Sequence, residues 1–376
     1  MSSINLPWSL DNWKKSTNES FFLMEEHQFY AQNLFFLKKF TIGPYQFFFD
    51  STAKGDSVQT LITVRVKFYS VNQEKKEEYE TLHFNANIGD EIAGLLSLSL
   101  GVKIFYAGIS RTISPLYEKY KFSHDDPYGV PKIPNKFNPP PLSITESLPV
   151  LPSLNKDIYG NESIKRLDNL IKASAIQYKG FIRAACLYRD ALEMVDYDPN
   201  LSWVLMVSAV ETAAVLEKNQ NSSAIETFEL GSPELFSLLK SNNNENLLDD
   251  AALLIAPTLK ATEKFINFCI KYFPVQPTHR AKDDNLRIDW RPENMKKILS
   301  VIYNYRSSYL HSGKRFPSIM SSSPIGDEEM PSIVREKDYL NRIWKRKEVP
   351  INLHIFNYMV QNMLMNWCGS FSNDVD

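Results

Sequence analysis

Cysteine is scarce in this 376-residue chain: Cys186, Cys269 and Cys368 lie far apart, each in an apolar helical setting. None forms a C-x-x-C pair and none has histidine neighbours at metal-ligand spacing, so they read as reduced core residues. No metal and no cofactor is expected. An excess of charge is missing too. Lys and Arg number 42 against 44 Asp and Glu, a net charge of −2, with a pI near 6.4. Such a chain has no global field to gather a polyanion, and nucleic acid would have to be held by a local basic patch. Long apolar runs are also lacking: no segment reaches ~18 uninterrupted apolar residues, and the opening M-S-S-I-N-L-P-W has neither the basic start nor the apolar run of a signal peptide. The expectation is a cytoplasmic protein with no membrane contact.

What is present is ordinary globular composition, 43% hydrophobic and 23% charged, at a length comfortable for two domains. From Phe21 to about Ser114 β-branched and aromatic runs dominate: L-F-F-L-K-K-F-T-I, Y-Q-F-F-F-D, V-Q-T-L-I-T-V-R-V-K-F-Y, Y-E-T-L-H-F-N-A and V-K-I-F-Y-A-G. Over Thr60 to Tyr69 the side chains alternate, with Leu61, Thr63, Arg65 and Lys67 on one side and Ile62, Val64, Val66 and Phe68 on the other. Asp90 to Leu100 breaks this pattern and reads as a short helix opened by two acids and closed by Gly101. His27 and His83 have no partner at catalytic spacing and read as structural histidines. Residues 1–120 are therefore expected to form an α+β, strand-rich domain.

Eight prolines between Asp126 and Pro152 forbid helix interior and central strand there, so residues 121–156 read as a Pro-rich linker or extended arm. From Asn161 onward the period becomes helical, and residues 157–376 are expected to form an all-α helical bundle. Within it Glu162 to Val195 reads as one long helix or two parted near Gly180. Asp198-Pro199 opens an apolar helix carrying Glu211. Leu247 to Phe273 reads as a helix kinked or restarted at Pro257. A helix over Ile351 to Phe371 closes the chain.

The organising stretch is Arg291 to Gly313, R-P-E-N-M-K-K-I-L-S-V-I-Y-N-Y-R-S-S-Y-L-H-S-G. Pro292 suits the first helical turn, Glu293 complements the positive dipole end, and Gly313 is a natural C-cap. At roughly 100° per residue Ile298, Ile302, Tyr305 and Tyr309 share one stripe, expected to be the core face. Arg306, Ser307 and His311 lie on another arc, with Leu299, Tyr303 and Leu310 on or beside it. Apolar groups on a polar arc call for a second covering surface. For Glu211 two readings stay open, a solvated helix-edge acid or a carboxylate placed beside Arg306.

A helical domain with V-E-T-A on one helix and, about ninety residues later, a helix ending Y-R-S-S-Y-L-H-S-G resembles the HEPN superfamily, best its Apea-like branch. The hallmark R-x4-6-H motif is here Arg306, four residues, then His311. The resemblance covers about Glu162 to Ser370. It implies a metal-independent endoribonuclease that works as a homodimer, with the two motifs meeting across the interface, and a setting of antiviral defence or toxin-like growth arrest. His311 would transfer protons, Arg306 would stabilise charge on the phosphoryl oxygens, Ser307 would orient the site, and Glu211 would position Arg306. Lys314, Arg315, Arg280 and Lys282 would contact RNA phosphates. The first domain would bind a trigger or inhibitor. A non-catalytic RNA-binding or interaction module of the same type is the alternative.

Overall fold

The structure is a computed structural model that describes residues 6–17, 21–32, 39–54, 57–69, 88–113, 130–131, 151, 160–217, 223–241, 245–324, 326–331 and 344–372. The strand expected over Tyr79 to Ala86, with His83, and most of the Pro-rich stretch lie outside them. Compactness divides the chain into two units, one drawn from Met1–Ile144, Asp157–Leu192 and Cys368–Asp376, the other from Thr145–Lys156 and Glu193–Trp367.

The first unit is built on a six-stranded antiparallel sheet. Its strands are β1 (Phe21–Gln32), β2 (Phe40–Ile42), β3 (Tyr45–Lys54), β4 (Ser57–Tyr69), β5 (Ile104–Ile113) and β6 (Val130–Pro131), in the order β2-β3-β4-β1-β5-β6. The Pro-rich stretch thus adds a two-residue strand, and at the sheet edge, where a residue without an N–H is tolerated. On β4 Ile62, Val64 and Val66 are fully buried as the alternation requires, but Thr63 and Arg65 on the other face are buried as well. The reason is charge pairing. Glu26 on β1 accepts hydrogen bonds from Arg65 Nη2 at 2.6 Å and from Arg111 Nε at 2.7 Å, so this face carries a closed-over ion cluster instead of solvent-facing charges. His27 is buried beside it in sequence, with Nδ1 2.9 Å from the Tyr106 hydroxyl and Nε2 3.2 Å from Glu25 Oε2, which makes it a structural histidine.

Helices α1 (Trp8–Lys15) and α2 (Ile88–Leu100) belong to this unit. Gly101 closes α2 in the left-handed conformation, φ 69°. Glu91 on α2 accepts from the backbone N–H groups of Trp8 and Ser9, satisfying otherwise orphaned donors at the start of α1.

Helices α3 (Gly160–Lys165) and α4 (Ala175–Met194) fall with the sheet unit, up to Leu192, whereas their period had placed them in the helical domain. Periodicity identifies a helix but not what it packs against. Here the fully buried Tyr178 donates to Ser9 Oγ at 2.8 Å, and a Cβ on Gly94 of α2 would come within 3.2 Å of the Cys186 backbone nitrogen, so the two helices approach closely. A 3-10 helix over Arg166–Lys172 continues α3, and the break before α4 is at Ala173-Ser174, with Gly180 inside α4. Ser174 and Gln177 cap each other's backbone N–H groups, an S-x-x-Q box that outweighs the single glycine.

The second unit is helical: α5 (Pro199–Ala214), α6 (Ala224–Gly231), α7 (Pro233–Lys240), α8 (Glu245–Lys271), α9 (Pro292–Ser312) and α10 (Leu353–Gly369). The α10 helix ends across the division, in residues of the first unit. Asp198 caps α5 through Asn200 N and Leu201 N, with Pro199 in the first turn. Helix α8 runs uninterrupted through Pro257, so the expected restart is absent. At the centre Trp203 lies between Phe316 and Phe356, ring centroids 5.2 and 4.9 Å away.

A buried carboxylate ties the α8–α9 loop to the residues before α10. Glu329, 0% exposed, accepts from Arg280 Nε and Nη2 at 2.5 and 2.7 Å, from Ile288 N at 2.6 Å and from Trp290 Nε1 at 3.3 Å.

His354 is 1% exposed, and neither ring nitrogen has a hydrogen-bond partner of good geometry among the described residues. Burial pushes its pKa down from 6.5 to about 4, the Glu328 backbone opposing the shift. Between these values the unfolded chain takes up a proton that the folded chain refuses, so His354 adds no protonation cost above pH 6.5 and destabilises the fold progressively below it. By pH 4.5 the loss should be about 2.5 kcal/mol. Urea unfolding of wild type and His354→Leu at pH 7 and 4.5 measures it: the leucine variant should lack this part of the acid loss, and equal losses would contradict the assignment.

Candidate functional site

Helix α9 follows the capping grammar of its sequence. Pro292 stands in its first turn, and Gly313 adopts φ 68° and donates its N–H to Tyr309 O at 2.9 Å. Its burial differs from the expected stripe. Met295, Leu299, Ser300, Ile302 and Tyr303 are buried, while Ile298, Tyr305 and Tyr309 are only partly so. The buried arc is centred near Arg306, not away from it. It is wide because α9 is flanked on two sides. Tyr303 packs on Phe265 of α8, centroids 5.2 Å apart, and Tyr305 packs on Phe316 at 5.6 Å and donates to Glu348 O. The covering surface that Leu299 and Tyr303 called for is therefore supplied by the chain itself. Leu310, 51% exposed, is what remains of the uncovered apolar face.

Arg306 projects from this arc with a side chain 21% exposed, and its Nη2 lies 2.5 Å from Oε2 of Glu211, which is 20% exposed. The second oxygen of the same carboxylate accepts from the Tyr303 hydroxyl at 2.8 Å. The Arg306 guanidinium carbon also stands 5.8 Å from the Tyr303 ring centroid, within cation–π range. Glu211 thus sits beside Arg306, clamped from two residues one helical turn apart. Tyr303 is held protonated, its pKa raised by burial first and by the Glu211 bond and charge next, with Arg306 opposing. Arg306 Nε is buried without an acceptor among the described residues. An orphaned buried guanidinium donor beside an ion pair is costly to maintain.

The remaining motif residues lie toward the C-terminal end of α9. His311 is exposed and its ring makes no hydrogen bond among the described residues, and Ser307 is half-buried. Around the helix His311 is about 140° from Arg306 and roughly 7.5 Å along the axis, so a single chain does not aim both at one phosphate. Lys314 and Arg315 follow Gly313, both exposed, and Lys282 is exposed on the preceding loop. Arg280 is not available in the same way. Its guanidinium is taken up by Glu329, Gln276 Oε1 and Ile288 O, so its role is to fix the loop and it leaves the set of phosphate contacts.

Sequence reasoning missed Tyr303, counted there as an apolar group needing cover. Its phenolic hydroxyl at three residues before Arg306 was the available signal, since that spacing puts both on one face.

Compared with models of known families, with curated proteins and with solved structures, the chain matches none.

Proposed function

We propose that the chain is a metal-independent endoribonuclease of HEPN type, with Arg306 and His311 as its reacting pair. The observation that carries this reading is the Arg306 guanidinium, about one-fifth exposed and fixed by Glu211 through Nη2, on the same helix as an exposed histidine. A fixed cation with unused donors suits the non-bridging oxygens of a phosphodiester.

In the proposed reaction the RNA 2′-oxygen attacks phosphorus, its proton passes to a base, the bond to the 5′-oxygen breaks, and an acid returns a proton to that oxygen. Histidine serves either role. Because Arg306 and His311 of one helix diverge, two copies would be needed, one His311 as base and the other as acid, with Leu310 at the join. Lys314, Arg315 and Lys282 would hold flanking phosphates, and Ser307 would help orient the site. Such an enzyme fits a role in antiviral defence or growth arrest, with the sheet unit as the receptor of a trigger or inhibitor. The reading requires purified protein to cut single-stranded RNA in excess EDTA. Intact RNA would overturn it.

The alternative is a non-catalytic RNA-binding module, favoured by the Glu211 carboxylate that offsets the Arg306 charge. It predicts RNA retention without cutting.

A further inference from the structure

The clamp around Glu211 has a second component beyond the arginine, and we infer that Tyr303 is a positioning residue, holding the carboxylate so that Glu211 presents one oxygen to Arg306 and leaves the remaining guanidinium donors free for a phosphate. Its consequence for cleavage rests on the nuclease reading above.

A lone carboxylate and a lone guanidinium, each about one-fifth exposed, can pair in several ways. End-on, side-on and single-contact arrangements differ little in energy when water is at hand, and a pair free to interchange would let Glu211 occupy both donors that a phosphate needs. Tyr303 removes that freedom. Its hydroxyl takes Oε1 at 2.8 Å, leaving Oε2 to meet Nη2. The hydroxyl is itself immobile because the ring is buried against Phe265. Tyr303 and Arg306 are three positions apart on α9, and the guanidinium lies over the ring, so the same side chain orients both members of the pair. The anchor therefore comes from one helix and the carboxylate from another, α5, which makes the geometry depend on their packing.

Tyr303→Phe removes the hydroxyl and keeps the buried ring, so the variant should fold. In 15N-labelled protein the Arg306 Nε–H resonance, identified by its loss in Arg306→Lys, should be sharp in wild type and broadened by exchange in Tyr303→Phe. In the cleavage assay kcat should fall about 10-fold with KM changed less than about twofold, because orientation and not RNA binding is lost. An Arg306 resonance unchanged by Tyr303→Phe would overturn the inference, as would a cleavage rate equal to wild type. Wild type that cuts no RNA, combined with an Arg306 signal released by Tyr303→Phe, would leave the positioning role standing and remove the nuclease reading.

Discussion

His311→Ala is expected to lower kcat/KM for RNA cleavage by at least about 100-fold, the usual worth of a positioned proton-transfer group. Stability should change by less than about 0.5 kcal/mol, as for other exposed positions. Both halves follow from where the residue sits. Its ring is exposed at the end of α9 with no hydrogen bond among the described residues, and the helix is closed by Gly313 without it. Nothing in the fold therefore needs the imidazole, whereas the proposed chemistry has no other group to move the proton. Arg306 is the less clean site to probe, since removing it leaves the Glu211 carboxylate half-buried with Tyr303 as its remaining side-chain partner among the described residues. RNA affinity should be nearly unaffected in His311→Ala, because the flanking lysines and Arg315 would supply the phosphate contacts. Cleavage at the wild-type rate would remove His311 from the mechanism.

The second large effect concerns stability. Glu329→Gln should cost the helical unit about 3 kcal/mol, in the range found when a buried pair loses one partner. Glu329 is fully buried and meets donors on both oxygens: Arg280 through two nitrogens, the Ile288 N–H and the Trp290 indole. Glutamine keeps the volume but replaces one acceptor with a donor and removes the charge that Arg280 needs, so at least one buried donor is left facing another. The loop from Phe273 to Arg291 precedes α9 directly, and its loosening should be felt at the start of that helix. Urea unfolding would register the loss, and Arg280→Met in the glutamine background should recover part of it, because the unpaired charge is then gone. A cost below about 1 kcal/mol would mean that water replaces the carboxylate.

These two residues mark how far the sequence could be read. The ends of α9 were legible because capping is local chemistry: Pro292 in the first turn and Gly313 at φ 68° need no tertiary context. Asp198-Pro199 announced α5 for the same reason. Glu211 stood out as an acid in an apolar helix, and its place beside Arg306 was one of two open readings. The core face of α9 was misplaced because a wheel finds the most apolar stripe, whereas α9 is buried on two flanks and uses Tyr303 and Arg306 as part of its packed surface. Long-range pairing was unreadable. Glu329 sits among polar loop residues, and Glu25 to Gln28 look solvent-facing although they run along the middle strand of the sheet, where Arg65 and Arg111 neutralise Glu26. The grouping of α4 with the sheet was hidden likewise, since helical period is the same wherever a helix packs.

The central claim is cleavage by 2′-oxygen attack without a metal, and the ends of the RNA test it most directly. Purified wild-type protein should cut a uniform single-stranded RNA in excess EDTA, leaving a 2′,3′-cyclic phosphate on one fragment and a 5′-hydroxyl on the other. Fragments bearing a 5′-phosphate, or RNA left intact, would contradict it.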